Sequence, residues 1–375
     1  MKKFAKLDAV PVHKQVAEYL KDNIVSGTFA PSSRLPSERE LASKLKVSRE
    51  TLRKSIDSLC YEGLLVRRSG KGTFVMDVKG KNLPGIEKVG LIFSWGDMGA
   101  IEEDSYFGQV FRSLKQNQPE RCEVNAIFYK RETGLFELFY NNGFEGMIIV
   151  APRIEMKSEL IKLRQVKIPC VIYNASFYNT TLDYIDSDNV GGAMTAVEYL
   201  ANLKHKNIGF IGSNSSDTNA VDRLKGYKLG LKQQGLEYRE KLVSIPSEGE
   251  SLGDAVSRGV KGFLSLKPRP TAILFYSCTQ AMKGMEVIKN RGLKIPDDIS
   301  VICFDDPKVA SYTQPPLTVI KEPLEEMARV ALKELMRRIT GSPSKSVQVN
   351  LKTELIKRGS CSLAKGNGKN TGRNQ

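Results

Sequence analysis

Arg49, Thr51 and Arg53 fall within five residues of one another in VSRETLRKSI, residues 47–56. Arginine presents a flat fork of donors that can bridge O6 and N7 of guanine, and threonine can touch a base or a phosphate, so on a helix this spacing suits the major groove of DNA. Leu52, Ile56 and Leu59 recur at helical spacing as an apolar stripe, with Arg49 and Arg53 one turn apart on its flank and Lys54 and Glu50 facing away. A merely solvated basic helix would carry the same pattern, so the neighbouring residues decide. Downstream, Gly70-Lys71-Gly72-Thr73 invites a nucleotide-phosphate reading. A phosphate loop needs G-x-x-x-x-G-K-[ST] between a strand and a helix, whereas here a glycine follows the lysine and a strand follows that. A hairpin turn fits better.

Other chemistry finds little support. Six cysteines (Cys60, Cys122, Cys170, Cys278, Cys303, Cys361) are scattered without a C-x-x-C pair, and only His13 and His205 could join them at a metal. Buried free thiols are expected, with no metal and no cofactor. No nucleophile elbow and no acid–base pair at a recognisable spacing stands out, which argues against an enzyme. The formal charge is +15, and residues 1–80 hold 16 Lys and Arg against 9 Asp and Glu, an excess of 16 − 9 = 7 positive charges. A basic first segment calls for a polyanionic partner. The start, MKKFAKLDAVPVHKQ, lacks the apolar run of a signal peptide, and no stretch approaches the roughly 20 apolar residues of a membrane span. A soluble, cytoplasmic protein is expected.

At 375 residues the chain exceeds what one core usually serves, so at least two domains are expected. Residues 10–76 read as three helices and a hairpin. Ser37 caps the second helix with Glu40 three residues on, and Ser48 caps the third with Thr51 in the corresponding place. Two short strands around Ser69-Gly70-Lys71-Gly72 then form a wing. The expected division is a winged helix-turn-helix domain at 1–76, a linker at 77–87, a two-lobed domain at 88–360 and a disordered basic tail at 361–375. Within the second domain VGLIF, EVNAIFY, GMIIVA, PCVIYN, NIGFIG, TAILFY and ISVICF are strand candidates, with amphipathic helices such as Met194 to Leu203 and Leu324 to Ile339 between most of them. Such alternation means parallel sheet covered on both faces, with a ligand at the carboxyl ends of the strands. The fold class is thus an α+β winged head followed by an α/β two-lobed domain.

RLPSERELA, VSRETLRKSIDSLCYEGLL and RRSGKGTFV, in this order over about 65 residues, resemble the N-terminal domain of the GntR family of bacterial transcription regulators. The resemblance implies contacts to double-stranded operator DNA from Arg34, Ser48, Arg49, Thr51 and Arg53, and from Lys71, Gly72 and Thr73 in the wing. Ser37, the cap beside Arg34, is counted with them.

GFEGMIIVAP, IPCVIYNAS, IDSDNVGGAMTAVEYL, HKNIGFIGS, DRLKGYKLGL, the long line from PTAILFYSC to ICFDDP, and PPLTVI resemble the LacI/GalR regulators and the related periplasmic sugar-binding proteins. The combination is similar to the arabinose-regulator subfamily. It implies a sugar-responsive repressor, a homodimer, whose effector is a monosaccharide or a sugar phosphate. By position in that pattern, Asp188, Arg223 and Asp305 supply polar groups, Asn174 another, and Tyr106 or Phe107 a stacking face. Asp188 could equally cap the helix that follows it, and Asp305 could shape a turn. Ser277-Cys278 stands where the family usually has Asn-Asp, so Ser277 offers only a hydroxyl there. The alternative is an enzyme with a GntR-type head, since one branch of that family carries an aminotransferase-like domain; that module needs a Schiff-base lysine and usually more chain than remains here.

Overall fold

The computed structural model describes residues 11–25, 28–30, 32–61, 64–68, 72–75, 87–94, 105–120, 122–247, 249–341 and 345–365. The head contains α1 (Val12–Val25), α2 (Glu38–Leu45) and α3 (Arg49–Tyr61), followed by β1 (Leu65–Arg68) and β2 (Gly72–Val75), which pair antiparallel. The apolar stripe of α3 does what its spacing predicts: Leu52, Ile56 and Leu59 are buried against Val16 and Leu20 of α1 and Leu41 of α2. Ser55, also buried, donates to the carbonyl of His13 and so ties α3 to the start of α1.

A first lobe follows: β3 (Glu87–Phe93), α4 (Tyr106–Gln116), β4 (Cys122–Phe128), α5 (Gly134–Asn141), β5 (Gly146–Val150), α6 (Lys157–Gln165), β6 (Cys170–Tyr173) and β7 (Tyr184–Ser187). The second lobe holds α7 (Asn189–Asn202), β8 (Ile208–Ile211), α8 (Thr218–Gln233), β9 (Val243–Ser244), α9 (Leu252–Ser265), β10 (Ala272–Phe275), α10 (Cys278–Asn290), β11 (Ser300–Phe304), α11 (Val309–Tyr312) and β12 (Thr318–Lys321). The chain then returns with α12 (Leu324–Ile339) and β13 (Gln348–Leu351) to the first lobe, and ends with β14 (Glu354–Ile356) in the second. The first sheet runs β13-β7-β6-β5-β3-β4, parallel throughout. The second runs β14-β12-β11-β10-β8-β9, parallel except for β14. The chain therefore passes between sheets three times, after Ser187, Lys321 and Leu351, and these crossings flank the crevice.

Continuous apolar strands match burial on two faces. In GMIIV every residue is buried; Met147 and Ile149 pack under α5 and α6, while Ile148 and Val150 pack under α4 and α12. Helices α7 and α8 lie so close that a Cβ on Gly226 would stand 2.2 Å from the carbonyl oxygen of Val190. The glycine of the DRLKGY segment is there for helix approach.

Two boundaries differ from expectation. Glu87, placed at the end of the linker, already opens β3, and residues 76–86 lie outside the described residues. Residues 361–365, expected to begin the tail, are held in place: Ala364 N–H donates to Leu203 O, Ser362 N–H to Ser300 Oγ, and Ser362 O lies 3.0 Å from His205 Nε2. A polar composition did not reveal these backbone partners. Among the described residues no helix is long and apolar enough to cross a membrane.

Candidate DNA interface and effector crevice

On the head, Ser48 Oγ accepts from Thr51 N–H at 3.0 Å and lies 2.8 Å from Thr51 Oγ1, so both hydroxyls work in the cap of α3. Ser37 Oγ accepts from Glu40 N–H and the Glu40 carboxylate from Ser37 N–H, a complete capping box. The caps set α3 with its amino end free of its own chain. Arg49 and Arg53 are exposed there, and among the described residues neither pairs with a carboxylate. Lys54 pairs with Glu50 at 3.0 Å, and Arg67 is held by Glu38 and Asp57. The cations on the reading flank are thus the available ones.

Residues 32–35 run beside β2 of the wing, bridged to it at Arg34. Leu35 N–H donates to Thr73 O and Val75 N–H to Ser33 O, with Arg34 opposite Phe74. This brings Arg34 onto Gly72, whose φ of +104° and missing side chain let the guanidinium lie over it; a Cβ would sit 2.7 Å from Arg34 Nε. Thr73 is beside them, whereas Lys71 lies outside the described residues. The structure therefore groups Arg34, Gly72 and Thr73 on the wing and Ser48, Arg49, Thr51 and Arg53 on α3.

The second candidate site is built at the carboxyl ends of the strands. Ala151 after β5, Asn174 after β6 and Asp305 after β11 all take left-handed backbone, with φ of +46°, +58° and +70°. Non-glycine residues persist in this region only where the surroundings enforce it. Arg223, on α8, is 2 % exposed and is the hub. Its Nε donates to Asn189 Oδ1 at 2.7 Å, Nη1 to Tyr276 O at 2.6 Å and Nη2 to Glu322 Oε1 at 2.9 Å, with Asp305 3.7 Å away. The guanidinium lies 3.9 Å from the ring centre of Phe304 and 4.6 Å from that of Tyr276. Glu322 Oε1 also accepts from Ser187 Oγ, while its Oε2 is buried with no partner. Tyr106 OH, Ser94 Oγ and Gln109 Nε2 are likewise buried without partners among the described residues. Buried polar atoms are satisfied in the great majority of cases, so three left open along one cavity, at Tyr106, Gln109 and Glu322, mark where a ligand's groups belong. A cavity of about 500 Å³ runs from Tyr106, Asp305 and Glu322 outward between α4 and α12, past Gln109 and Arg112 to Arg329.

Of the expected ligand residues, Tyr106, Arg223 and Asp305 come together here. Asn174 stands apart but connected: its O and Oδ1 accept from Asn219, one turn before Arg223 on α8. Phe107 does not reach the crevice. It is 4 % exposed in the core of the first lobe, edge-on to Phe93, because α4 turns successive residues about 100° apart and only Tyr106 faces out. Asp188 Oδ1 accepts from Gly191 N–H and Ser277 Oγ from Gln280 N–H, so both oxygens cap helices. Glu322, Ser94, Gln109 and Tyr276 were missed. A glutamate directly after a strand and before a proline, where the chain crosses lobes, was the readable signal for Glu322.

Beneath the crevice Asp186 is fully buried, accepting from Ser176 Oγ, Ser187 N–H and Asn189 Nδ2. Burial pushes its carboxyl up to about 8; the Ser176 hydrogen bond opposes this and the charge of Glu322 adds to it. Burial likewise raises the Asp305 carboxyl, against the pull of Arg223. The folded protein then keeps a proton on Asp186 that the unfolded chain, with a carboxyl pKa of about 4, has lost. Stability should fall as pH rises from about 5 to about 8, by up to about 1.4 kcal/mol per unit for this group. Urea unfolding across that range should show the decline in the native chain and a shallower one in Asp186→Asn. Equal slopes would remove Asp186 as the cause.

Comparison with known proteins adds the following. The family described as bacterial regulatory proteins, gntR family, matches residues 12–75, and the periplasmic binding protein-like domain matches residues 197–361. The arabinose metabolism transcriptional repressor of Geobacillus stearothermophilus is 27% identical over 365 residues, covering 94% of this chain and 98% of that one. The HTH-type transcriptional repressor CytR of Escherichia coli K12 is 29% identical over 245 residues, 65% of this chain and 67% of that one. Among solved structures, a transcriptional regulator CelR–cellobiose complex superposes with a TM-score of 0.66 over 87% of this chain and all of its own, at 22% identity, a likeness of fold.

Proposed function

Since this chain joins a gntR-family DNA-binding head to a periplasmic binding protein-like domain and is a transcriptional regulator rather than an enzyme, we infer that it represses its targets until a small sugar-like effector occupies the crevice. The observation that carries the effector half is the set of partnerless buried polar atoms at Tyr106, Gln109 and Glu322 that line one cavity, with Glu322 bound to a guanidinium that lies over the rings of Phe304 and Tyr276. Hydroxyl-rich ligands supply both donors and acceptors to such atoms. Relatives named for arabinose metabolism, and a structural neighbour holding cellobiose, support the same ligand class.

In this reading Arg49 and Arg53 enter the major groove, while Arg34, Lys71, Gly72 and Thr73 follow the phosphate rail; Thr51, Ser48 and Ser37 hold the helix ends against it. Arg223, Asp305, Glu322 and Tyr106 bind the effector, while Asn174, Asp188 and Ser277 act at the strand and helix ends around them. The working unit is a homodimer on a pseudo-palindromic operator, since two heads must meet two half-sites. The domains divide as head, linker and two-lobed effector domain, in the cytoplasm where the operator is.

The DNA half is tested by salt. Fluorescence anisotropy on operator DNA selected from a random pool should give a log affinity that falls linearly with log salt, about 0.9 per phosphate neutralised. The slope should lessen by about one in Arg34→Ala. An affinity indifferent to salt would sink the proposed phosphate contacts.

A further inference from the structure

Among the buried groups of the crevice charge is out of balance, although the half-buried Arg112 and the exposed Lys321 and Arg329 also line the cavity. Arg223 is the one buried cation among the described residues there, and its Nε, Nη1 and Nη2 are already committed to Asn189, Tyr276 and Glu322. Four carboxyl groups surround it, of which Asp186 holds its proton near neutral pH. Asp217 is engaged by Tyr276 OH, and Asp186 by Ser176 and Asn189. Glu322 and Asp305 remain short of compensation: Glu322 is 4 % exposed with Oε2 open, and Asp305 reaches the guanidinium at only 3.7 Å. Both line the cavity beside the open hydroxyl of Tyr106. Tyr173, another phenol close by, spends its hydroxyl on Leu324 O.

We propose that the effector carries a protonated amine on a hydroxyl-rich ring, as amino sugars do, and that its ammonium seats between Glu322 Oε2 and the Asp305 carboxylate. This rests on the crevice being the effector site. An ammonium brings three donors and one positive charge to two carboxylates that have too little of either. A neutral hydroxyl brings one donor and, as water leaves, buries the carboxylates further uncompensated. A phosphate adds a like charge. The Tyr106 hydroxyl then meets a ring hydroxyl. Because burial holds the Asp305 carboxyl above the usual range, an arriving ammonium should drive its proton into solvent.

The test is calorimetric titration of the full chain near neutral pH with D-glucosamine, D-galactosamine and D-mannosamine, each beside its parent hexose and that hexose's 6-phosphate. At least one amine should bind about tenfold or more tightly than its parent, with no phosphate ester binding and with heat that varies with buffer ionisation as a proton leaves. In Glu322→Gln the preference for amine over parent should collapse, whereas Tyr106→Phe should weaken amine and parent alike. A parent hexose that binds as tightly as its amine, a phosphate ester that binds, or a preference that survives Glu322→Gln overturns the ammonium seat and leaves the sugar reading standing. Silence from all nine compounds overturns both.

Discussion

Replacing Arg223 by Met should cost the effector domain about 3–5 kcal/mol, because it leaves Glu322 and Asp305 in a buried site without their counter-charge. The guanidinium lies over the rings of Phe304 and Tyr276 and is hydrogen-bonded to Asn189, Tyr276 and Glu322, so no neighbouring cation can take its place without moving the chain. Removing the charge it balances should recover part of the loss: the double variant Arg223→Met with Glu322→Gln should be more stable than Arg223→Met alone, since an amide needs no counter-ion. Urea unfolding of the three proteins measures this. A single variant within about 1 kcal/mol of the native chain would mean that the acid cluster carries little charge, and the reading of the crevice would go with it.

In the head, Arg49→Ala should relax sequence preference at one base pair of each half-site by about 1–3 kcal/mol, because a bidentate contact to a base edge is lost while the phosphate contacts persist. Binding to a panel of operators, each altered at one position, separates this from a general weakening. Loss of the same size on every sequence would place Arg49 on a phosphate. Lys54→Ala is the control, since Lys54 pairs with Glu50 on the exposed far face, where solvent and salt screen such pairs.

How far the sequence could be read depended on whether burial left a periodic trace. The stripe on α3, the caps at Ser37 and Ser48 and the span of α12 were legible because helix period and capping chemistry act locally. The strands at GMIIV and ISVICF were legible because sheets buried on both faces make unbroken apolar runs. The strands β13 and β14 were not: QVNL alternates exposed with partly buried residues and ELI has one exposed residue and two partly buried ones, over four and three positions, too few to show a period. In the crevice, Arg223 and Asp305 were found and Glu322 was not, since in KEPLEEM it resembles the acidic first turn of α12. DSD held the opposite trap. Asp188 drew attention as a ligand residue but caps α7, while Asp186 two residues earlier is the fully buried carboxyl, inside β7 where all four residues are buried. Such contacts join residues more than 100 positions apart, as Ser187 and Glu322 are, and no local pattern records them.

The central claim is that crevice and head are coupled, and coupling is reciprocal: if an effector weakens operator binding by some factor, operator DNA must weaken effector binding by the same factor. The decisive measurement is the operator affinity of the full chain by mobility shift with and without a saturating effector found by titration, together with the effector affinity with and without operator. The account predicts equal changes of roughly 5- to 150-fold in the two affinities, both abolished in Arg223→Met. Operator affinity that stays the same whether the crevice is filled or empty would contradict it.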